Sequence, residues 1–174
     1  MIDAEVRIAA FDWLKHRVEE QGDVLPRTLL TQGFQFHGIW VALIGPQGIF
    51  KPKILPSIPL SITTTPTGPY DDSFGNDGLL AYRYRGTDPN HRDNIGLREA
   101  MRSQTPLAYF HGITPGRYLA AWPVFVVGDN PEALMYTLLF MSEKRGGNWV
   151  TLFGGMDFDK SSGLEPELDG DPPG

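Results

Sequence analysis

Tyr70, Asp71 and Asp72 are adjacent and follow Gly68-Pro69, so an aromatic ring and two carboxylates share one tight turn. A second turn, Gly75 to Gly78, leads into a strand-like run from Leu79 to Arg85 that stops at Gly86. Period-two alternation puts Leu80, Tyr82 and Tyr84 on one face of that run and Leu79, Ala81, Arg83 and Arg85 on the other. A ring on a turn and a ring at the end of the adjoining strand can sandwich a flat heterocycle, here Tyr70 and Tyr84. Asp72, or Asp71, can accept a hydrogen bond from an exocyclic amine at its edge. These are the parts of a nucleobase pocket. A carboxylate acceptor selects cytosine or adenine over thymine, which has no amine to donate. Stacking on an aromatic is worth roughly 1–3 kcal/mol per base, enough to offset the few kcal/mol that drawing a base out of a duplex costs. A plainer reading stands beside this one: Tyr-Asp-Asp as turn chemistry, and Tyr82 and Tyr84 as ordinary strand formers.

Two loops offer further polar reach. In Gly45-Pro46-Gln47-Gly48-Ile49-Phe50-Lys51-Pro52, Gln47 has an amide for base edges, Phe50 a ring for wedging and Lys51 an ammonium for phosphate. The alternative is a surface loop with Phe50 tucked into the core. In Thr87-Asp88-Pro89-Asn90-His91-Arg92-Asp93-Asn94, Arg92 can donate two hydrogen bonds to a guanine edge, with His91 beside it. The alternative there is a solvated loop pairing with Asp88 or Asp93. Catalytic signatures are missing. The four His (His16, His37, His91, His111) fall into no zinc-binding spacing, and there is neither a phosphate loop with Lys nor a Gly-x-Ser-x-Gly elbow. Asp71, Asp72 and Asp77 are in principle able to take a divalent cation, but no metal or other cofactor is expected.

The elements that must position these residues read as follows. Residues 3 to 21 form an amphipathic helix with Val6, Ala9, Ala10, Trp13, Leu14 and Val18 inward, capped by Asp3 and stopped by Gly22. Residues 24 to 32 suggest a short second helix with Pro26 in its first turn. Gly33 to Ile44 suggests a strand or hairpin bent at Gly38. Leu60 to Thr64 is strand-like. Ile95 to Ser103 is a short helix, with Asp93 or Asn94 as its cap. Leu107 to Phe110, Arg117 to Val127 and Leu134 to Met141 are strands, and Asn148 to Phe153 suggests one more. The run from Arg117 is nearly all apolar, which predicts burial on both faces. Pro123 within it demands an edge position or a bulge.

The 174 residues suit one domain, here 1–153, followed by an acidic, flexible tail or linker at 154–174. The chain has no cysteine, which excludes disulfides and fits a cytoplasmic location. No apolar run approaches the ~20 residues of a membrane span, and the start lacks a signal-peptide pattern. The net charge of −6 argues against nonspecific nucleic-acid binding. Six of the 21 acids fall in residues 151–174 beside a single Lys, so the remainder is close to neutral and can carry a basic face.

The order of motifs resembles the SRA (SET- and RING-associated) domain of the PUA-like superfamily, over roughly residues 45 to 140. That family carries Gly-Gly-Tyr, a short acidic run, a Gly turn and a strand ending Tyr-Thr-Gly. This chain has Gly68-Pro69-Tyr70, Asp71-Asp72 and Tyr84-Arg85-Gly86. Asn94 to Ala100, Thr105-Pro106-Leu107-Ala108-Tyr109 and Gly116-Arg117-Tyr118-Leu119 follow the family's later order. The resemblance implies an α+β, PUA-like fold: a strongly bent mixed β-sheet or partly open β-barrel, flanked by helices, with an N-terminal helix. It implies a reader of double-stranded DNA that flips a modified base, 5-methylcytosine or 5-hydroxymethylcytosine foremost, into a pocket of Tyr70, Asp71, Asp72, Tyr84, Arg85 and Gly86. Gln47, Phe50, Lys51, His91, Arg92 and Arg117 would then contact the DNA. Arg85 stands where the family has Thr, and the 87–94 interval is shorter than the family's finger. Similar domains precede HNH nucleases in modification-dependent restriction enzymes. That implies a specificity module without catalytic residues of its own, and a homodimer formed through a nuclease domain outside this sequence. Alternatives are a reader of phosphorothioate DNA backbone or of structured RNA, and, from another class, a metal-dependent hydrolase using His91 and Asp93.

Overall fold

The computed structural model describes residues 2–65 and 78–140, together with the backbone of 73–74, 144–145 and 148–149. The element order is α1 (Ile2–Gln21), β1 (Val24–Pro26), α2 (Arg27–Gln32), β2 (Phe34–Phe36), β3 (Ile39–Val41), β4 (Ile49–Phe50), β5 (Ser61–Thr64), β6 (Ser73–Phe74), β7 (Leu79–Arg83), α3 (Arg92–Ser103), β8 (Leu107–Thr114), β9 (Arg117–Asn130), β10 (Met135–Phe140), β11 (Lys144–Arg145) and β12 (Asn148–Trp149). The expected acidic tail, Tyr70, Asp71 and Asp72 lie outside the described residues, as does most of the strand expected at 148–153.

One mixed sheet dominates, in the order β4-β5-β8-β9-β10-β7-β6, with β1 added alongside β9. Only β5 and β8 run parallel among its described ladders; the others are antiparallel. The sheet is curled, with helices against it and a helix at the N-terminus, the α+β architecture expected. It separates two cores. On one face α3 packs Leu97 and Ala100 against Leu80, Tyr82, Tyr84, Tyr109 and Leu138. On the other, α1 packs Val6, Ala10 and Leu14 against Leu30, Phe34, Ala108 and Phe110. The alternation of Tyr109 and Phe110 between the two cores is the strand period made visible.

Several expectations are refined. Val24–Pro26 pairs with the start of β9, so the second helix begins only at Arg27. Residues 33–44 do form the hairpin, turning at His37-Gly38 with φ of 49° and 83°. Along β9, Tyr118 to Ala121 are buried on both faces. Pro123 does not lie on an edge strand: β9 is central. Between Leu107↔Val124 and Tyr109↔Ala121 the register shifts, which is the bulge that a residue without an N–H needs inside a ladder.

Two polar groups missed in the sequence hold the frame. Arg7, 2% exposed, donates to the carbonyls of Ile58, Pro59 and Pro106 and pairs with Asp3 at 2.7 Å. It ties α1 to the segment before β5 and to the entry of β8. His111, half-buried, sits 3.1 Å from the Thr64 hydroxyl, and burial holds its pKa below the ordinary value. The unfolded chain therefore takes up this proton more readily, and stability falls as pH drops below about 6.5. His111→Gln is expected to flatten the decline in melting temperature between about pH 7 and pH 5. An acid slope identical to wild type would contradict this.

Candidate nucleic-acid interface

The two ends of the curled sheet approach each other beside β4 and β7. A methyl group placed on Gly48 would come within 3.1 Å of both the Tyr82 hydroxyl and the Thr63 carbonyl, so Tyr82 reaches from β7 across to the segment leading into β4. A cavity of about 450 Å³ opens at this seam, lined by Gln47, Gly48, Tyr82, Arg85, Gly86 and His91 among others. Ser73 pairs with Ala81 and Phe74 with Leu80, so β6 runs along β7 next to the seam.

The 84–91 loop forms one wall, and its shape comes from α3. Asn94, fully buried, accepts from the Arg85 N–H at 2.9 Å and donates to the carbonyls of Arg85 and Asp88 at 3.0 and 2.8 Å. That use of its amide removes Asn94 from capping. The cap is His91 instead, whose Nδ1 accepts from the Asp93 N–H at 3.1 Å, and the helix starts at Arg92 rather than Ile95. Gly86 turns the loop with φ of 63°, a conformation that favours glycine. Arg98 fastens the loop's far side, donating to the Pro89 carbonyl at 3.3 Å.

Behind this wall lies a polar knot inside the core. The Arg98 Nε donates to Asp129 at 2.8 Å, and its Nη2 points to the hydroxyls of Tyr84 and Tyr136 at 3.3 and 3.5 Å. Tyr84 donates to the other Asp129 oxygen, and Tyr136 donates to the Asn94 carbonyl at 2.6 Å. Burial, then the Asp129 bond, pushes the Tyr84 hydroxyl above its ordinary pKa. Burial does the same to Tyr136. Hydrogen bonds to Asp129 and Tyr84 hold the guanidinium more firmly charged. The knot therefore favours a charged guanidinium beside two neutral phenols.

This corrects the place of Tyr84. Its ring is fully buried and stacked on Tyr136 with centroids 4.5 Å apart, so it offers no open face to a ligand. Tyr84 does share a face with Leu80 and Tyr82, and that face is the core side of the sheet. Its place in the cavity wall belongs to a residue whose ring points inward. Tyr82, two positions earlier and 7% exposed, is the tyrosine of this strand whose hydroxyl reaches the seam.

Of the other expected residues, Gln47, Arg85, Gly86 and His91 converge on the seam cavity. Gln47, Phe50, Lys51, Arg85 and Arg92 line a neighbouring one. Phe50 is half-buried with its ring packed on Gly45, where an added methyl would meet it at 2.5 Å; it is tucked rather than poised to wedge. Lys51 donates to the Leu55 carbonyl at 2.7 Å. Arg117 lines neither cavity. It opens β9 opposite Pro26, while the seam lies near the other end of that strand, where Asp129 meets Tyr84. Among the described residues no group of three or more His, Asp or Glu is placed to hold a metal ion. Nor is any helix there long and apolar enough to cross a membrane.

No family model matches the chain, and no curated protein does. Eight solved chains match in structure. One is the SUVH5 SRA domain in complex with hemimethylated CG DNA, with 18% identity, 57% of this chain and 76% of that chain covered, and a TM-score of 0.44. Another is the SUVH5 SRA domain bound to fully hydroxymethylated CG DNA, with 16% identity, 51% and 68% covered, and a TM-score of 0.39. A third is its complex with methylated CHH DNA, with 17% identity, 51% and 67% covered, and a TM-score of 0.40. Likenesses at this level leave the function to this chain's own residues.

Proposed function

We propose that this protein binds double-stranded DNA carrying a modified cytosine, 5-methylcytosine or 5-hydroxymethylcytosine, and holds the everted base in the seam cavity. The observation that carries the reading is convergence. Gln47 comes from the 45–52 loop and Arg85, Gly86 and His91 from the 84–91 loop, and the two loops line one opening of about 450 Å³. A planar pyrimidine fits such a volume. Tyr82 contributes the phenol on the β7 side. Tyr70, Asp71 and Asp72 immediately precede Ser73 in sequence, and Ser73 pairs with the neighbour of Tyr82. The proposal gives Tyr70 the stacking face and Asp72, or Asp71, the amine of cytosine. Arg85 is held by Asp93 at 2.7 Å and fixes the rim.

A role as the specificity module of a modification-dependent restriction endonuclease, whose nuclease domain also dimerises it, is part of the same proposal. It rests on the motif resemblance. Sequencing the reading frame around this segment checks it, with an HNH motif as the expected result and an unrelated neighbour as the contrary one.

Binding to matched duplexes bearing methylated, hydroxymethylated, phosphorothioated or plain cytosine tests the reading. Preference for a base-modified duplex supports it; preference for the phosphorothioate overturns it. Gly48→Ala probes the seam itself. The added methyl must displace Tyr82 or Thr63 by a few tenths of an ångström, which alters the wall that a bound base would meet. Weaker binding to modified DNA with an unchanged circular dichroism spectrum is expected. Wild-type affinity would place the base elsewhere.

A further inference from the structure

The second cavity, about 610 Å³, lies between the proline-rich 46–59 segment and the first turns of α3, and shares Gln47, Ile49 and Arg85 with the seam. Four cations line it, Lys51, Lys53, Arg85 and Arg92, against the carboxylates of Asp93 and Glu99. Both carboxylates are engaged, Asp93 by Arg85 at 2.7 Å and Glu99 by Arg102 at 3.4 Å. Lys51 spends a proton on its own loop. Lys53 and Arg92 are exposed and make no ion pair or hydrogen bond among the described residues. A chain of net charge −6 thus leaves two cations unsatisfied at one concavity.

We infer that this second cavity seats the sugar–phosphate backbone beside the everted nucleotide, with Lys53 and Arg92 on phosphodiester oxygens. The assignment rests on the base-pocket reading above for its choice of anion. The shared wall supplies the geometry, because a base and its flanking phosphates must enter adjoining spaces. Arg92 offers a planar fork that matches two phosphate oxygens, and Lys53 a compact point charge. Each phosphodiester carries one charge, so the two free cations match two neighbouring groups, and the apolar patch of Ile49, Phe50 and Ile95 suits the sugars. Labour is then divided: the seam reads the base, and its neighbour fixes the strand without reading sequence.

The test is the salt dependence of binding by the full chain and its Lys53→Gln/Arg92→Gln variant, on one duplex with a single 5-methylcytosine and on the same duplex unmodified. Each lost phosphate contact lowers the slope of log K against log salt by about 0.9, so a fall of about 2 is expected. Affinity should drop by one common factor on both duplexes, leaving the preference for the modified one intact. A wild-type slope in a variant that melts like wild type overturns the inference, as does a change in preference with the slope unaltered. Should wild type show no preference while the variant still loses slope, the backbone site stands and the base reading falls. If the double variant does not fold, Lys53→Gln alone, on an exposed loop, must show about half the change.

Discussion

Arg98→Ala is expected to lower the stability of this protein by about 3 kcal/mol, the usual cost of removing one partner from a buried ion pair. The side chains of Arg98 and Asp129 are only 17% and 11% exposed, so the deserted carboxylate cannot recover its hydration. Tyr84 would still donate to it, which offsets part of the loss. The Pro89 carbonyl and two phenols lose a donor at the same time. For a chain of this length the loss corresponds to a fall in melting temperature of roughly 6–12 °C. Arg98→Lys keeps the charge but not the fork, and should fall between the two. Denaturant unfolding measures it; an unchanged midpoint would show that the pair contributes nothing. Because Arg98 also fastens the loop carrying His91, DNA affinity should decline in the variant even at temperatures where it remains folded.

The second large effect is on recognition. Asp72→Ala is expected to weaken binding to duplex with one 5-methylcytosine by tenfold or more, and to bring it close to the affinity for plain duplex. A hydrogen bond to a charged acceptor is worth about 1.5–3 kcal/mol, and tenfold is about 1.4 kcal/mol. Tyr70→Ala should act similarly, through lost stacking. Tyr84→Ala should behave otherwise. With its ring inside the core, its main consequence is lost stability of about 3 kcal/mol or more, as for other buried aromatic truncations. Preference for modified DNA should survive in whatever fraction folds. A selective loss of preference in Tyr84→Ala, without loss of stability, would return that ring to the pocket.

These contrasts show what was legible in the chain. The alternation along residues 79–85 named the residues that share a face, and the structure keeps that set together. It did not say whether the shared face meets the core or a ligand. That depends on α3 lying over it, and on Asp129 and Tyr136, 45 and 52 residues further along. Loop residues were easier. Gln47, Gly86 and His91 sit among Gly, Pro and Asp, so their exposure followed from local turn chemistry, and they meet at the cavity. Lys53 was passed over because a lysine among prolines has no local signature; only the absence of a partner in three dimensions marks it. Arg7 and Arg98 were missed for the converse reason. Charged residues on helices are ordinarily solvated, and nothing near them in sequence reveals the buried carbonyls and carboxylate they serve. Asp93 or Asn94 is the cap expected from the sequence, because Asp and Asn at a helix start usually are. His91, three residues before Asn94, takes that place and leaves the Asn94 amide to hold the loop.

The central claim is that a single modified base leaves the helix and enters the seam. Its most direct test places 2-aminopurine beside the 5-methylcytosine of a duplex and follows fluorescence as the protein is added. The account predicts a saturable rise with wild type, little rise with Asp72→Ala at saturating protein, and little rise on the unmodified duplex. Tight binding to the modified duplex with no change in fluorescence would mean that the base stays stacked, and the seam cavity would then have no base to hold.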